Sequence, residues 1–162
     1  MREKAPAGVL KTYIAELPNW QRAIEVFRSV LQDNLHEAGL EIVKIEARVK
    51  TLPSVIEKLS RKQVPDWASF DDLLGLRVIV YDEDTVAAVS AILDEVFEIT
   101  ETIDKSAELE LQEVGYRSIH KVVKLNSERS GLREYQAARG FRAEVQVRTL
   151  LQHTWGAIEH KV

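Results

Sequence analysis

Apolar positions in the first forty residues recur at the three-and-four spacing of an α-helix. Val9, Leu10, Tyr13 and Ile14 form one stripe; Trp20, Ile24, Phe27, Val30, Leu31 and Leu35 form the next. Pro18 lies between them and lacks a donor N–H, so it predicts an interruption, while Gly39 predicts a stop. The stripe reads as a packing face. After Gly39 the period drops to two. In EIVKIEARVK (41–50), Ile45, Ala47 and Val49 point one way and Glu46, Arg48 and Lys50 the other, the alternation of a half-buried strand. A short helix is predicted from Pro53 and Ser54 through Lys58. The segment LLGLRVIVY (73–81) is almost continuously apolar, as a central strand covered on both faces would be.

Asp84 or Thr85 is the predicted N-cap of an amphipathic helix carrying Val86, Val89, Ile92, Leu93 and Val96. Residues 97–102 read as a third strand and the polar, acidic run 103–115 as a loop. A fourth strand fits 117–125, with Ile119, Val123 and Leu125 on one face. Residues 126–140 carry turn signals without a period and predict a loop or a short helix. The fifth strand, FRAEVQVR (141–148), alternates cleanly, with Phe141, Ala143, Val145 and Val147 opposed to Arg142, Glu144, Gln146 and Arg148. A last helix begins near Thr149 and carries Leu150, Leu151, Trp155 and Ile158. Helices followed by strands interleaved with helices predict an α+β domain built on a mixed sheet.

Composition narrows the function classes. A chain of 162 residues fits one domain, and 45% apolar with 30% charged residues is ordinary for a globular protein. No apolar run approaches the roughly 18 residues of a membrane span, and MREKAPAG lacks the apolar region of a signal peptide, so a cytoplasmic protein without a membrane partner is expected. The absence of cysteine excludes disulfides and thiolate chemistry. A net charge of -4 argues against a broad non-specific nucleic-acid binder but leaves room for a local basic pocket.

Candidate chemistry gathers around three segments. Asp71 and Asp72 stand at the mouth of the apolar strand, and Arg77 is the charge inside it, which requires a carboxylate, a phosphate or an aromatic surface as partner. The mixed charges of the first and last strands would by themselves suit a solvated antiparallel face. GYRSIH (115–120) packs an aromatic, a guanidinium, a hydroxyl and an imidazole into six residues, the inventory of a nucleotide pocket. Four scattered histidines make a zinc site unsuited, and there is no P-loop pattern.

DLLGLRV (72–78), GYRSIH (115–120), EVQVRT (144–149) and W-x-x-IEH (155–160) occur in this order in the RelA/SpoT-type nucleotidyltransferase domain, which the chain resembles over about residues 40–162. ARVKT (47–51) resembles the ATP-binding strand of the small alarmone synthetases. The resemblance implies a mixed five-stranded β-sheet flanked by α-helices, in a single domain 1–162 with N-terminal helices over 1–39 and a catalytic core over 40–162. It also implies magnesium-dependent transfer of the β,γ-pyrophosphate of ATP to the 3′-hydroxyl of GDP or GTP, the synthesis of (p)ppGpp. By the same resemblance Asp72 and Glu144 are the catalytic and metal-binding carboxylates. Arg48 and Arg77 sandwich the adenine, while Lys50, Ser54 and Lys58 hold the ATP phosphates. Tyr116 stacks on the acceptor base, His120 lies close to the acceptor, and Gln146 and Arg148 shape the acceptor side. Trp155, Glu159 and His160 buttress the pocket, and His153 is a surface or supporting residue.

The chain departs from the family pattern before GYRS, where ELELQEV (108–114) holds Glu108, Glu110 and Glu113 in place of a cation for the acceptor phosphates. Carboxylates there would repel a 5′-diphosphate by roughly a kcal/mol per close, partly screened pair. The departure keeps two alternatives open: a toxin-type relative that pyrophosphorylates adenine nucleotides or tRNA 3′ ends, and a non-catalytic nucleotide sensor. Arg129, Arg133, Arg139 and Arg142 could then serve a polynucleotide backbone. The resemblance implies that family members usually continue through further helices after the position of Val162, helices that often carry oligomer contacts or an antitoxin-like element, with a homo-oligomer or an antitoxin as the partner. No paired His and Asp motif for hydrolysis stands in the sequence, so synthesis without degradation is expected.

Overall fold

A computed structural model of the chain describes residues 7–62, 67, 70–104 and 118–159. Helix α1 (Ala7–Glu37) runs unbroken through Pro18, against the predicted interruption. A proline inside a helix costs about 3 kcal/mol, but packing on either side of Pro18 holds the two halves in line. The Tyr13 and Trp20 rings meet edge to face with centroids 5.4 Å apart, and the Tyr13 hydroxyl donates to the Lys50 carbonyl at 2.9 Å. Phe27, Leu31 and Leu35 continue the buried stripe. Gly39 takes φ +69 beyond the end of the helix, the left-handed turn that glycine adopts without a Cβ penalty.

The remaining elements are β1 (Ile42–Val49), α2 (Leu52–Lys62), β2 (Leu74–Val80), α3 (Glu83–Val96), β3 (Phe97–Asp104), β4 (Ile119–Leu125), α4 (Ser127–Ser130), a 3-10 segment (Arg133–Ala138), β5 (Ala143–Thr149) and α5 (Leu150–Glu159). The cap of α3 is Asp82, two residues earlier than predicted: its Oδ1 accepts from the Thr85 N–H at 2.7 Å and from the Thr85 hydroxyl. Strand β3 continues to Asp104, two residues into the predicted loop, because its end pairs with Ile119 and His120 of β4. The rest of that loop, and residue 117 with which the fourth strand was expected to open, lie outside the described residues. Residues 126–140 resolve into α4 and the 3-10 segment.

The five strands form one mixed sheet in the order β1-β2-β5-β4-β3. Strands β2 and β5 pair parallel at its centre, and the other pairs are antiparallel. One face packs on α1 and α3. Leu74, Leu76, Val78 and Val80 of β2, Val123 of β4, and Val145 and Val147 of β5 join Phe27, Leu31, Val89 and Leu93 in a single core. Lys121 also points to this side and is 4% exposed. There it donates to Asp94 and to the Ser90 carbonyl of α3, so the buried polar group is hydrogen-bonded. No helix among the described residues is long and apolar enough to cross a membrane.

The opposite face carries the polar residues. Register places Glu46, Arg77, Gln146 and His120 side by side across four strands, with Arg48, Gly75 and Glu144 in the neighbouring row. Helix α5 covers one end of this face, where Gly156 lies close to Arg148.

Candidate active site

The polar face opens into a cavity of about 370 Å³ lined by Glu46, Arg48, Asp72, Gly75, Leu76, Arg77, Glu144 and Gln146. Asp72 precedes β2, and its two oxygens receive two ammonium groups: Lys50 Nζ donates to Oδ2 at 2.8 Å and Lys58 Nζ to Oδ1 at 2.6 Å. Lys50 extends the line of β1, its N–H bonded to the Leu73 carbonyl at 2.8 Å, so both partners are set by backbone. Lys58 reaches over from α2 with its ammonium 5.1 Å from the centre of the Phe70 ring. Burial is the largest influence on the Asp72 carboxyl and acts to raise its pKa, but the hydrogen bonds and charges of Lys50 and Lys58 together hold it below its ordinary value.

Arg77 finds its partners on both neighbouring strands. Its Nε donates to Gln146 Oε1 at 2.9 Å, and its Nη1 stands 3.4 Å from Glu46 Oε2. Gln146 in turn donates to the Ser118 hydroxyl at 3.3 Å. Lys44 donates to the other Glu46 oxygen at 2.8 Å, and that bond is the main reason the Glu46 carboxyl lies below its ordinary pKa. Arg48 lies against Gly75, whose missing Cβ would stand 3.6 Å from Arg48 Cγ. Glu144 borders the cavity from β5, and its Oε1 is 2.8 Å from His120 Nδ1.

Asp72, Glu144, Arg48, Arg77 and Gln146 therefore share one cavity, with Lys50, Lys58 and His120 bonded to its walls. Ser54 stands in the first turn of α2, one helical turn from Lys58, where its hydroxyl accepts from Thr51 at 2.9 Å. Arg148 shares the strand face but is turned under α5 and does not line the cavity. Its guanidinium donates to His153 Nδ1 at 2.6 Å, and its Nε is buried without a partner. Burial, reinforced by the charge of Arg77 and opposed by Glu46, brings the Arg148 pKa down to about 10. Burial and the Arg148 charge likewise depress His153, which acts as a support for Arg148. Trp155 is 43% exposed and is not a wall of the cavity. Tyr116 and His160 lie outside the described residues, as does the side chain of Glu159.

Three lining residues, Glu46, Gly75 and Leu76, are not among the candidates read from the sequence, and two of them carry a sequence signal. Glu46 is the counter-charge that Arg77 requires, and its place on the charged face of β1 was its signal. Gly75 interrupts an apolar strand, which marks a close approach by another group. Of the arginines considered for a polynucleotide, Arg129 donates to the Val96 carbonyl, Arg139 to the Ser130 carbonyl, and Arg142 pairs with Asp71 at 3.0 Å. All three bond to groups of the chain itself.

Comparison with known proteins agrees with this geometry. Residues 47–162 match the family described as a region found in RelA / SpoT proteins. The chain is 30% identical over 157 residues to the GTP pyrophosphokinase YjbM of Bacillus subtilis, covering 88% of this chain and 72% of that relative. Among solved structures it resembles small alarmone synthetase 1 from Bacillus subtilis bound to its product pppGpp, with a TM-score of 0.73, 29% identity, and coverage of 93% and 79% of the two chains. A GTP pyrophosphokinase family protein from Streptococcus pneumoniae gives a TM-score of 0.73 at 27% identity, with 93% and 75% coverage.

Proposed function

This chain belongs to the RelA/SpoT family, and we propose that it is a pyrophosphokinase that moves the β,γ-pyrophosphate of ATP onto the 3′-hydroxyl of GDP or GTP. The observation that carries this reading is the opening of Asp72 and Glu144 onto one cavity beside Arg48 and Arg77. The relatives named GTP pyrophosphokinase, and the one bound to pppGpp, support guanosine nucleotides as acceptors.

In the reaction the acceptor 3′-oxygen attacks the β-phosphorus of ATP, its proton passes to the Glu144 carboxylate, and the bond between the β-phosphorus and the bridging oxygen of the α-phosphate breaks. AMP leaves with that oxygen. Arg48 and Arg77 hold the adenine between planar guanidinium groups. Arg77 is presented by Glu46 and Gln146, and Arg48 by the open space over Gly75. Lys50 and Lys58 transfer from Asp72 to the phosphates, aided by Ser54 at the start of α2. Tyr116 stacks on the acceptor base, with Gln146 and His120 on the acceptor side and Arg148 bracing β5 beneath α5. Alignment and charge neutralisation account for most of the rate.

The donors at the cavity fit a divalent cation. Asp72 and Glu144 are hard oxygen ligands, and no cluster of three or more His, Cys, Asp or Glu side chains able to cage a metal occurs among the described residues. That donor set suits magnesium, which takes one or two carboxylates and completes its shell with phosphate oxygens and water. When bound, the ion neutralises charge on the phosphates.

The test incubates the protein and magnesium with γ-labelled ATP and, in parallel, GDP, GTP, AMP, ADP or bulk tRNA. Label on GDP or GTP is the expected result. Label on tRNA or an adenine nucleotide alone would replace the guanosine acceptor with that of a toxin-type relative, and no transfer to any acceptor would refute the reading.

A further inference from the structure

We propose that His120 is a positioning residue for Glu144, holding its carboxylate in the orientation from which the other oxygen meets the acceptor hydroxyl. The proposal rests on the pyrophosphokinase reading above. A glutamate reaches its target through three rotatable bonds, and Gly75, beside Glu144 on β2, offers no side chain to confine it. His120 approaches from β4 on the other side, with Nδ1 2.8 Å from Glu144 Oε1. A carboxylate can only accept, so Nδ1 carries the proton. The ring is 7% exposed and sits on a strand paired on both edges, so it is a fixed donor.

A second observation separates this role from ordinary packing. The other ring nitrogen, Nε2, is buried and has no hydrogen-bond partner. A buried polar atom left unpaired is a destabilising feature, one that a purely structural site would lose by carrying an apolar side chain. The imidazole is retained with its polar contact spent on Glu144. Its neighbour across the ladder, Gln146, is occupied elsewhere, between Arg77 and Ser118. Each side chain in this row is thereby assigned: Gln146 secures the arginine on β2 and His120 the carboxylate on β5.

The experiment compares His120→Asn, His120→Gln and His120→Ala. An asparagine amide places its N–H near the position of Nδ1, whereas a glutamine amide reaches the position of Nε2. His120→Ala should lower kcat about a hundredfold, as misplacement of a reacting group by about 1 Å does, with the KM for ATP and the KM for the acceptor both little changed. His120→Asn should recover most of the loss and His120→Gln little of it. Rescue by Gln equal to or better than rescue by Asn, or a loss confined to the acceptor KM, would overturn the proposal. Imidazole 15N spectra supply a readout that needs no turnover. His120 should be protonated on Nδ1 in the free protein and lose that preference in Glu144→Ala; protonation on Nε2 in the unaltered protein overturns the positioning role. Absence of transfer by the unaltered protein would instead refute the pyrophosphokinase reading, with the spectra still deciding whether His120 holds Glu144.

Discussion

Replacing Lys58 with Met should move two binding equilibria in opposite directions. In the free protein Lys58 and Lys50 each occupy one oxygen of Asp72, at 2.6 and 2.8 Å, so the trio carries a local charge of one positive unit. On the proposed function, a nucleoside triphosphate would draw both ammonium groups onto its own oxygens and free Asp72 for the cation. Two unit charges 4 Å apart interact by about 4 kcal/mol at an effective dielectric constant of about 20. The side chains of Lys58 and Asp72 are 22% and 27% exposed, which screens the interaction. The cost of losing Lys58 to nucleotide binding should then fall at about 1.5–3 kcal/mol, the range for hydrogen bonds to charged groups. At about 1.4 kcal/mol per factor of ten, a non-hydrolysable ATP analogue should bind roughly 10- to 150-fold more weakly in titration calorimetry. The same substitution removes a cation from beside Asp72, so manganese without nucleotide, followed by electron paramagnetic resonance, should bind several-fold more tightly. Met keeps an unbranched side chain of similar length in place of the ammonium that stands 5.1 Å from the Phe70 ring centre, so α2 should stay in place. Unchanged analogue binding, or manganese weakened together with the nucleotide, would refute the exchange of partners at Asp72.

Asp72→Asn should flatten the acid limb of stability. A carboxyl whose folded pKa is depressed stabilises the fold above its ordinary value of 3.8, and that contribution disappears as pH falls through the lower folded value. Urea midpoints of the unaltered protein should therefore drop more steeply below about pH 4 than those of the variant, and parallel curves would contradict the pairing with Lys50 and Lys58. Phe27→Ala should cost about 3–5 kcal/mol in urea unfolding, because Phe27 is fully buried and meets Phe97 with ring centroids 5.9 Å apart. A loss near zero would show that α1 contributes little to the core. The Cβ of Gly75→Val would meet Arg48 Cγ in ordinary contact at 3.6 Å, and the two γ-methyl groups beyond it should crowd the Arg48 side chain. The KM for ATP should rise about tenfold, in line with the loss of one desolvated cation–π contact, and an unchanged KM would remove Arg48 from the adenine site.

The face that carries the site was legible because β5 keeps strict alternation. Ala143, Val145 and Val147 must meet the helices, so Glu144 and Gln146 must face away from them. Asp72 was legible from its place before an apolar strand. The need of Arg77 for a partner followed from its surroundings, but the partners did not: Glu46 and Gln146 are 31 and 69 residues away and meet it through strand register. The same holds for His120 and Glu144, 24 residues apart. Arg148 followed the alternation of its strand, and only the position of α5 shows that it is covered. Pro18 misled because local propensity is set aside when aromatic packing straddles the proline. Tyr116, which the resemblance assigns to base stacking, belongs to the stretch outside the described residues.

The place of β5 in the sheet has a consequence for how the protein is made. Of the five strands this one is the last to leave the ribosome, yet it occupies the middle position, joining β1 and β2 to β4 and β3. Until residues 143–149 are synthesised, β2 and β4 each present an unsatisfied edge, and the two halves of the sheet have no backbone bond between them. The cavity is then also incomplete, because Glu144 and Gln146 arrive with that strand. Completion of the cavity and closure of the sheet are thus a single late event in biosynthesis.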